Sequence, residues 1–169
     1  MVGEDIVVVV TDANVMINFI HIGRLDLLAK LPGMRFVVPE HVVAEITDAT
    51  QADALRAALD AGGLDEVRMT DADEISRYAE LAATLGRGES ACLAMAEARG
   101  WTVASDERRA FRRTAVDRLG EQRLLTTPAL IVHAIRAGLV TVAKADQWKR
   151  LLEQRRFRMK FASFGELLR

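Results

Sequence analysis

The chain has 169 residues, half of them hydrophobic and 5% aromatic, with a formal net charge of −1. That length suits one domain with ample material for a core, and the near-neutral charge gives no overall pull toward nucleic acid or an anionic membrane. Cys92 is the single cysteine, so no disulfide framework can form within the chain. The apolar run Ile6 to Val10 is far too short to span a bilayer, and Glu4 and Asp5 before it do not resemble a secretory signal. These features describe a soluble cytoplasmic protein with no membrane partner.

In chain order, strand and helix alternate. Ile6–Val10 is a β-branched run of the kind found in a parallel strand buried on both faces. Thr11-Asp12-Ala13-Asn14 ends it, and Val15, Met16, Phe19 and Ile20 follow at helical spacing. Leu25 to Leu31 predicts a second short helix, Arg35–Val38 a second strand, and Pro39 the opening of a helix with Val42, Val43 and Ile46 on its core face. Thr50 to Ala61 reads as helix, Val67 and Met69 as a brief strand, and Asp71 to Leu85 as an amphipathic helix.

The most informative stretch is Leu85 to Phe111. Gly86 and Gly88 mark a turn, and Ser90 to Ala98 is small and apolar on nearly every face, predicting a helix packed on several sides. Gly100 stops that helix, Trp101, Val103 and Ala104 form a strand, and Ser105-Asp106 ends it. Glu107 to Leu119 is predicted as a helix carrying Arg108, Arg109, Arg112, Arg113 and Arg118. Arg123–Thr126 reads as the last strand, followed by helices from Thr127 to Gly138 and from Val142 to Phe157, and final turns over Ser163 to Leu168. The fold class is α/β, a three-layer α/β/α sandwich with a mainly parallel central sheet. Residues 1–169 form one domain, with 139–169 a C-terminal helical extension of it.

Four acids converge on one edge of this sheet. Asp12 and Asp106 each end a strand, Glu45 follows the second strand, and Glu89 opens the small-residue helix, so all four lie toward the strands' carboxyl ends, where open α/β folds place their ligands. Each has a plainer reading by itself: Asp12 and Asp106 as helix N-caps, Glu45 as a surface glutamate, Glu89 as a favourable first-turn charge. Together they form a set whose mutual repulsion needs neutralising, and hard divalent cations do that with oxygen ligands.

The segments VVTDANVMIN around Asp12 and Asn14, PEHVVAEI around Glu45, GESACLA around Glu89 and VASDERR around Ser105 and Asp106 resemble the successive acidic motifs of the PIN-domain family, in order and over nearly the whole chain. The resemblance implies a PIN fold and a ribonuclease dependent on Mg2+ or Mn2+. Asp12, Glu45, Glu89 and Asp106 would be its catalytic, metal-binding acids, with Asn14 and Ser105 the polar residues that orient them. Many members are toxins of VapC type, dimeric and paired with an antitoxin, and the resemblance implies a homodimer and such a partner here. Glu89 stands where many of those toxins have Asp, and the tail after Gly138 is longer than in a minimal toxin.

Phosphodiester hydrolysis needs an activated water and charge stabilisation, which bound cations supply without a histidine or cysteine. His21, His41 and His133 read as surface or helix-face residues, and Cys92 as core. For RNA binding the candidates are Arg87, Arg108 and Arg112, close to the acids in sequence; Lys149 to Lys160 is a second basic cluster that reads as a solvated face. Trp148 and Phe157 read as packing residues, with base stacking the alternative. A non-catalytic PIN-fold module that binds RNA or protein is the competing function. A haloacid-dehalogenase-like phosphatase is disfavoured because Asn14 stands where such sites have a second Asp, and a flavodoxin-like receiver because its acidic pair and distal lysine are not evident.

Overall fold

The computed structural model describes residues 5–169, so Glu4 lies outside the described residues. Five strands, β1 (Val7–Thr11), β2 (Met34–Pro39), β3 (Asp65–Val67), β4 (Thr102–Ala104) and β5 (Leu124–Leu125), form one sheet in the order β3-β2-β1-β4-β5. Every neighbouring pair is parallel, and Val10 of β1 lies opposite both Val37 of β2 and Val103 of β4. Helices cover both faces, giving the expected three-layer sandwich. They are α1 (Ala13–His21), α2 (Asp26–Lys30), α3 (Glu40–Glu45), α4 (Ala49–Asp60), α5 (Ala72–Leu81), α6 (Arg87–Arg99), α7 (Ala110–Leu119), α8 (Thr127–Arg136) and α9 (Val142–Gln154).

Strand order decides where a site can form. The chain builds outward from β1 to β3, then returns to add β4 and β5 on the other side of β1. The order therefore reverses between β1 and β4, and the crevice beyond the carboxyl ends of those two strands is the topological switch point of the sheet. Asp12 follows β1 and Ser105 follows β4, so they flank this crevice.

Helix α6 is the buried helix of the fold. Gly88, Ser90 and every residue from Ala91 to Ala96 are buried, and the helix packs against α3, α5 and α7 as well as the sheet. Small side chains permit that close approach on several sides, and Gly100, at φ +70°, closes the helix in the left-handed conformation a Cβ disfavours. The tail shares the same core: Trp148, Leu152, Met159 and Phe164 are buried within one cluster with Val9, Val10 and Leu130. Among the described residues no helix is long and apolar enough to cross a membrane.

Several predicted elements differ in extent, with β3 ending at Val67 short of Met69, α5 at Leu81 and α9 at Gln154, and two further differences bear on the site. The helix expected from Glu107 begins only at Ala110, because side-chain oxygens draw in the backbone N–H groups ahead of it. The Asp106 N–H donates to Asn14 Oδ1 at 3.2 Å and the Glu107 N–H to Ser105 Oγ at 3.2 Å, holding the segment as a loop. Arg108 and Arg109 are therefore loop residues. Helix α3 is also short, so Glu45 is its last residue rather than an interior one.

Candidate active site

The switch-point crevice is acidic. A pocket of about 280 Å³ is lined by Asp12, Ala13, Asn14, Ile17, Glu45, Gly86, Glu89 and Glu107. Asp12 sits at its floor, 4% exposed, as the N-cap of α1. Its Oδ1 accepts the Ala13 N–H at 2.8 Å and its Oδ2 accepts the Ser105 hydroxyl at 3.0 Å. Burial pushes the Asp12 carboxyl up to about 6, and the Glu89 and Glu45 charges push the same way against those two hydrogen bonds.

Backbone N–H groups at the start of α6 hold two of the other acids. Glu89 accepts the Gly86 N–H at 3.2 Å, reaching back over the first turn, and Glu45 accepts the Gly88 N–H at 2.8 Å. A Cβ at position 88 would collide with the Glu45 carboxylate, so glycine is what lets α3 bring its terminal glutamate against α6. Burial raises the Glu89 carboxyl, and the Glu107 and Glu45 charges add to that. No ion pair reaches Asp12, Glu45, Glu89 or Glu107 among the described residues. Nor, among those residues, are three Asp, Glu, His or Cys side chains gathered tightly enough to form a finished metal cage. Magnesium commonly keeps several waters and is held by few carboxylates, so acids lining a pocket wall suit it.

The fourth expected acid stands elsewhere. Asp106 does not line the pocket; its Oδ1 accepts the Thr127 N–H at 2.7 Å, and its Oδ2 accepts the Thr127 hydroxyl at 2.5 Å and the Asn18 amide at 3.0 Å. Both oxygens are thus committed to closing the first turn of α8 onto α1. Burial raises this carboxyl too, opposed by the Thr127 and Asn18 hydrogen bonds and the Arg108 charge. Glu107, the next residue, faces the pocket instead and accepts the Asn14 amide at 3.3 Å. Asn14 thereby spans the loop, accepting from the Asp106 backbone while donating to the Glu107 side chain.

Among the described residues the pocket's donor set is four carboxylates with no ion pair to any of them, which is oxygen-ligand chemistry for a hard divalent ion. The model of a family described as DUF3368, PIN domain, matches residues 8–169. This chain belongs to the PIN-domain family. Among solved structures it is similar to VapBC2 from Rickettsia felis bound to a DNA fragment from their promoter, at 16% identity and a TM-score of 0.49, covering 70% of this chain and 96% of that one. No curated protein matches it. PIN domains are in general metal-dependent nucleases.

In this PIN domain the structure brings together Asp12, Glu45 and Glu89 with Asn14 and Ser105, and sets Asp106 apart. Glu107, Asn18 and Thr127 were not singled out from sequence. Two signals bear on them: an acid directly follows the Ser-Asp pair, and Asn18 lies one turn after Asn14 on the same face of α1. Arg87 stands exposed at the first position of α6, outside the acidic pocket. Arg108 donates to the Arg158 carbonyl at 3.3 Å, and Arg112 pairs with Glu121 at 3.4 Å, both exposed. Cys92 is fully buried and its thiol is pushed well up by that burial, which removes it from nucleophilic roles.

Proposed function

We propose that this PIN domain is a ribonuclease that hydrolyses RNA phosphodiester bonds with Mg2+ or Mn2+ at Asp12, Glu45, Glu89 and Glu107. The single observation that carries the reading is the pocket at the β1–β4 switch point, which four carboxylates line with no ion pair among the described residues. The cation, when bound, lowers the pKa of a water and stabilises charge on the phosphoryl oxygens. Everything else is the chain's own contribution. Asp12 is held at both oxygens by Ala13 and Ser105, Glu45 and Glu89 each by an α6 backbone N–H, and Glu107 by Asn14. Such restraint presets oxygen positions, so little reorganisation is needed at reaction.

Asp106 enters this proposal as a positioning residue that fastens the loop bearing Glu107. Arg108 and Arg112, on the far side of Glu107, supply phosphate contacts, which give affinity without sequence readout. Pairing with an antitoxin and homodimerisation belong to the proposal through family resemblance, and light scattering of the pure protein tests the second.

The deciding experiment compares Asp12→Asn, Glu107→Gln and Asp106→Asn for manganese-dependent cleavage of RNA and for the manganese-dependent rise in unfolding temperature. A ligand that binds only the folded state raises its stability. The first two variants are expected to lose roughly 10²–10³ in rate along with the thermal response, while Asp106→Asn keeps the response. An unaltered rate in Asp12→Asn would refute the reading.

A further inference from the structure

The acidic pocket does not end at Glu107. The same residue forms one wall of a second hollow of about 360 Å³, whose other walls are Asp106, Arg108, Arg112, Thr126, Pro128 and Phe157. Arg108 and Arg112 are shared in turn with a third hollow of about 580 Å³ that takes in Arg109 and Arg113. Three hollows thus adjoin through shared residues: an acidic one, a mixed one with an aromatic ring, two arginines and two carboxylates, and one lined by four arginines with Val116 and Asp117.

We propose that single-stranded RNA lies along this series, with one base stacked on Phe157 in the middle hollow and the flanking phosphates held by Arg108 and Arg112. The inference rests on the ribonuclease reading above and names where the substrate strand leaves the acidic pocket. Its chemistry follows from which polar groups are already occupied. Asp106 spends both carboxylate oxygens on Thr127 and Asn18, and Thr126 spends its hydroxyl oxygen on the Ala129 N–H at 3.3 Å. Glu107 accepts the Asn14 amide at 3.3 Å, so the hollow offers an aromatic ring, a proline, the Thr126 O–H and two guanidinium groups, a set that stacks a base and neutralises phosphate. The Arg112–Glu121 pair is long and exposed, so a phosphate can displace the glutamate at small cost.

Phe157 is fixed rather than carried on a loose tail. Arg156 adopts φ +68°, rare for a residue with a side chain, and the Phe157 N–H donates to the Leu152 carbonyl at 2.9 Å, turning the chain back at the end of α9. Arg108 then ties the Glu107 loop to this segment through the Arg158 carbonyl. The C-terminal helix and the loop after β4 together build the hollow. Because no unspent side-chain amide lines it, the subsite stacks any of the four bases, and because stacking needs a bared base face, it selects single strands.

Binding of a labelled single-stranded RNA of roughly ten nucleotides tests this, read by fluorescence anisotropy in chelator and again in calcium. The parent is compared with Phe157→Leu, which keeps an apolar contact with the core, and with Phe157→Tyr, which keeps the ring. Phe157→Leu is expected to weaken binding about ten-fold, Phe157→Tyr to bind like the parent, and Arg108→Ala/Arg112→Ala to flatten the salt dependence. A duplex of the same sequence is expected to be insensitive to Phe157→Leu. The manganese-dependent rise in unfolding temperature, measured on the same proteins, is expected to be unchanged; its absence from the parent would sink the metal site without touching the RNA result. A folded Phe157→Leu that binds as tightly as the parent overturns the subsite. So does a parent that binds no RNA in either condition.

Discussion

Two acidic clusters in this molecule are built in opposite ways. Where α5, α6 and α7 pack together, Glu74, Glu80 and Glu97 each meet a guanidinium. Glu74, 3% exposed, receives Arg99 at 2.7 and 3.1 Å, and Glu80 and Glu97 share Arg118 at 2.6 and 3.0 Å while Glu97 also meets Arg77 at 3.0 Å. At the switch point, among the described residues, Asp12, Glu45, Glu89 and Glu107 have only backbone N–H groups, a hydroxyl and an amide. The first cluster is neutral and cements helices together. The second holds a net negative charge; burial raises its Asp12 and Glu89 carboxyls, and the neighbouring carboxylate charges add to that. Charge carried at a stability cost, in a crevice, points to function.

Substitutions on either side make this contrast measurable. The largest effect belongs to the neutralised cluster: Glu74→Ala strands Arg99 without its carboxylate, and a loss of about 3 kcal/mol is expected in denaturant unfolding, since one partner of the pair is deeply buried. Next is Gly88→Ala, which drives the Glu45 carboxylate out of its place against α6. Cleavage is expected to fall about 10²-fold with the fold retained, because misplacing a catalytic group by roughly an ångström costs about that much.

Asp12→Asn has the opposite sign on stability. The Asp12 pKa lies at about 6 in the folded chain against an ordinary 3.8, so the native state binds this proton more tightly than the unfolded state. Its contribution is therefore full below about pH 4, declines as the pH rises through about 6, and is level above that. The shift corresponds to about 3 kcal/mol at 1.36 kcal/mol per pKa unit. Allowing about 1 kcal/mol for the weakened Ser105 bond, the asparagine variant is expected to be about 2 kcal/mol more stable than the metal-free parent at pH 7. Paired urea titrations at several pH values check both sign and window. The smallest effect is expected for Arg118→Ala, about 1 kcal/mol or less and diminished by salt, because its partners are partly exposed.

Strand positions were legible because β-branched runs bounded by turn residues leave little choice, as Val7–Thr11 and Met34–Pro39 show. Helix α6 was legible from its small residues. Three acids of the pocket followed from placing each at a strand or helix end. The fourth did not, because Asp106 and Glu107 are adjacent and a helical continuation would have left Asp106 as its cap. Which of the two faces the crevice is decided by Asn14, Asn18 and Thr127, contacts made across 88 to 93 residues or 21 residues of sequence. Periodicity carries no information about such pairings. The tail was read as an extension, yet Phe157 borders the middle hollow, a placement set by the turn at Arg156.

One bond described above gives the molecule a built-in clock. The first amides of a helix ordinarily lack partners and exchange with solvent quickly. The Thr127 amide opens α8, yet Asp106 holds it at 2.7 Å. Its deuterium uptake therefore runs at the pace at which the loop bearing Glu107 lets go of α8. A single backbone proton, on a residue that does not itself line the acidic pocket, times the opening of that pocket's wall.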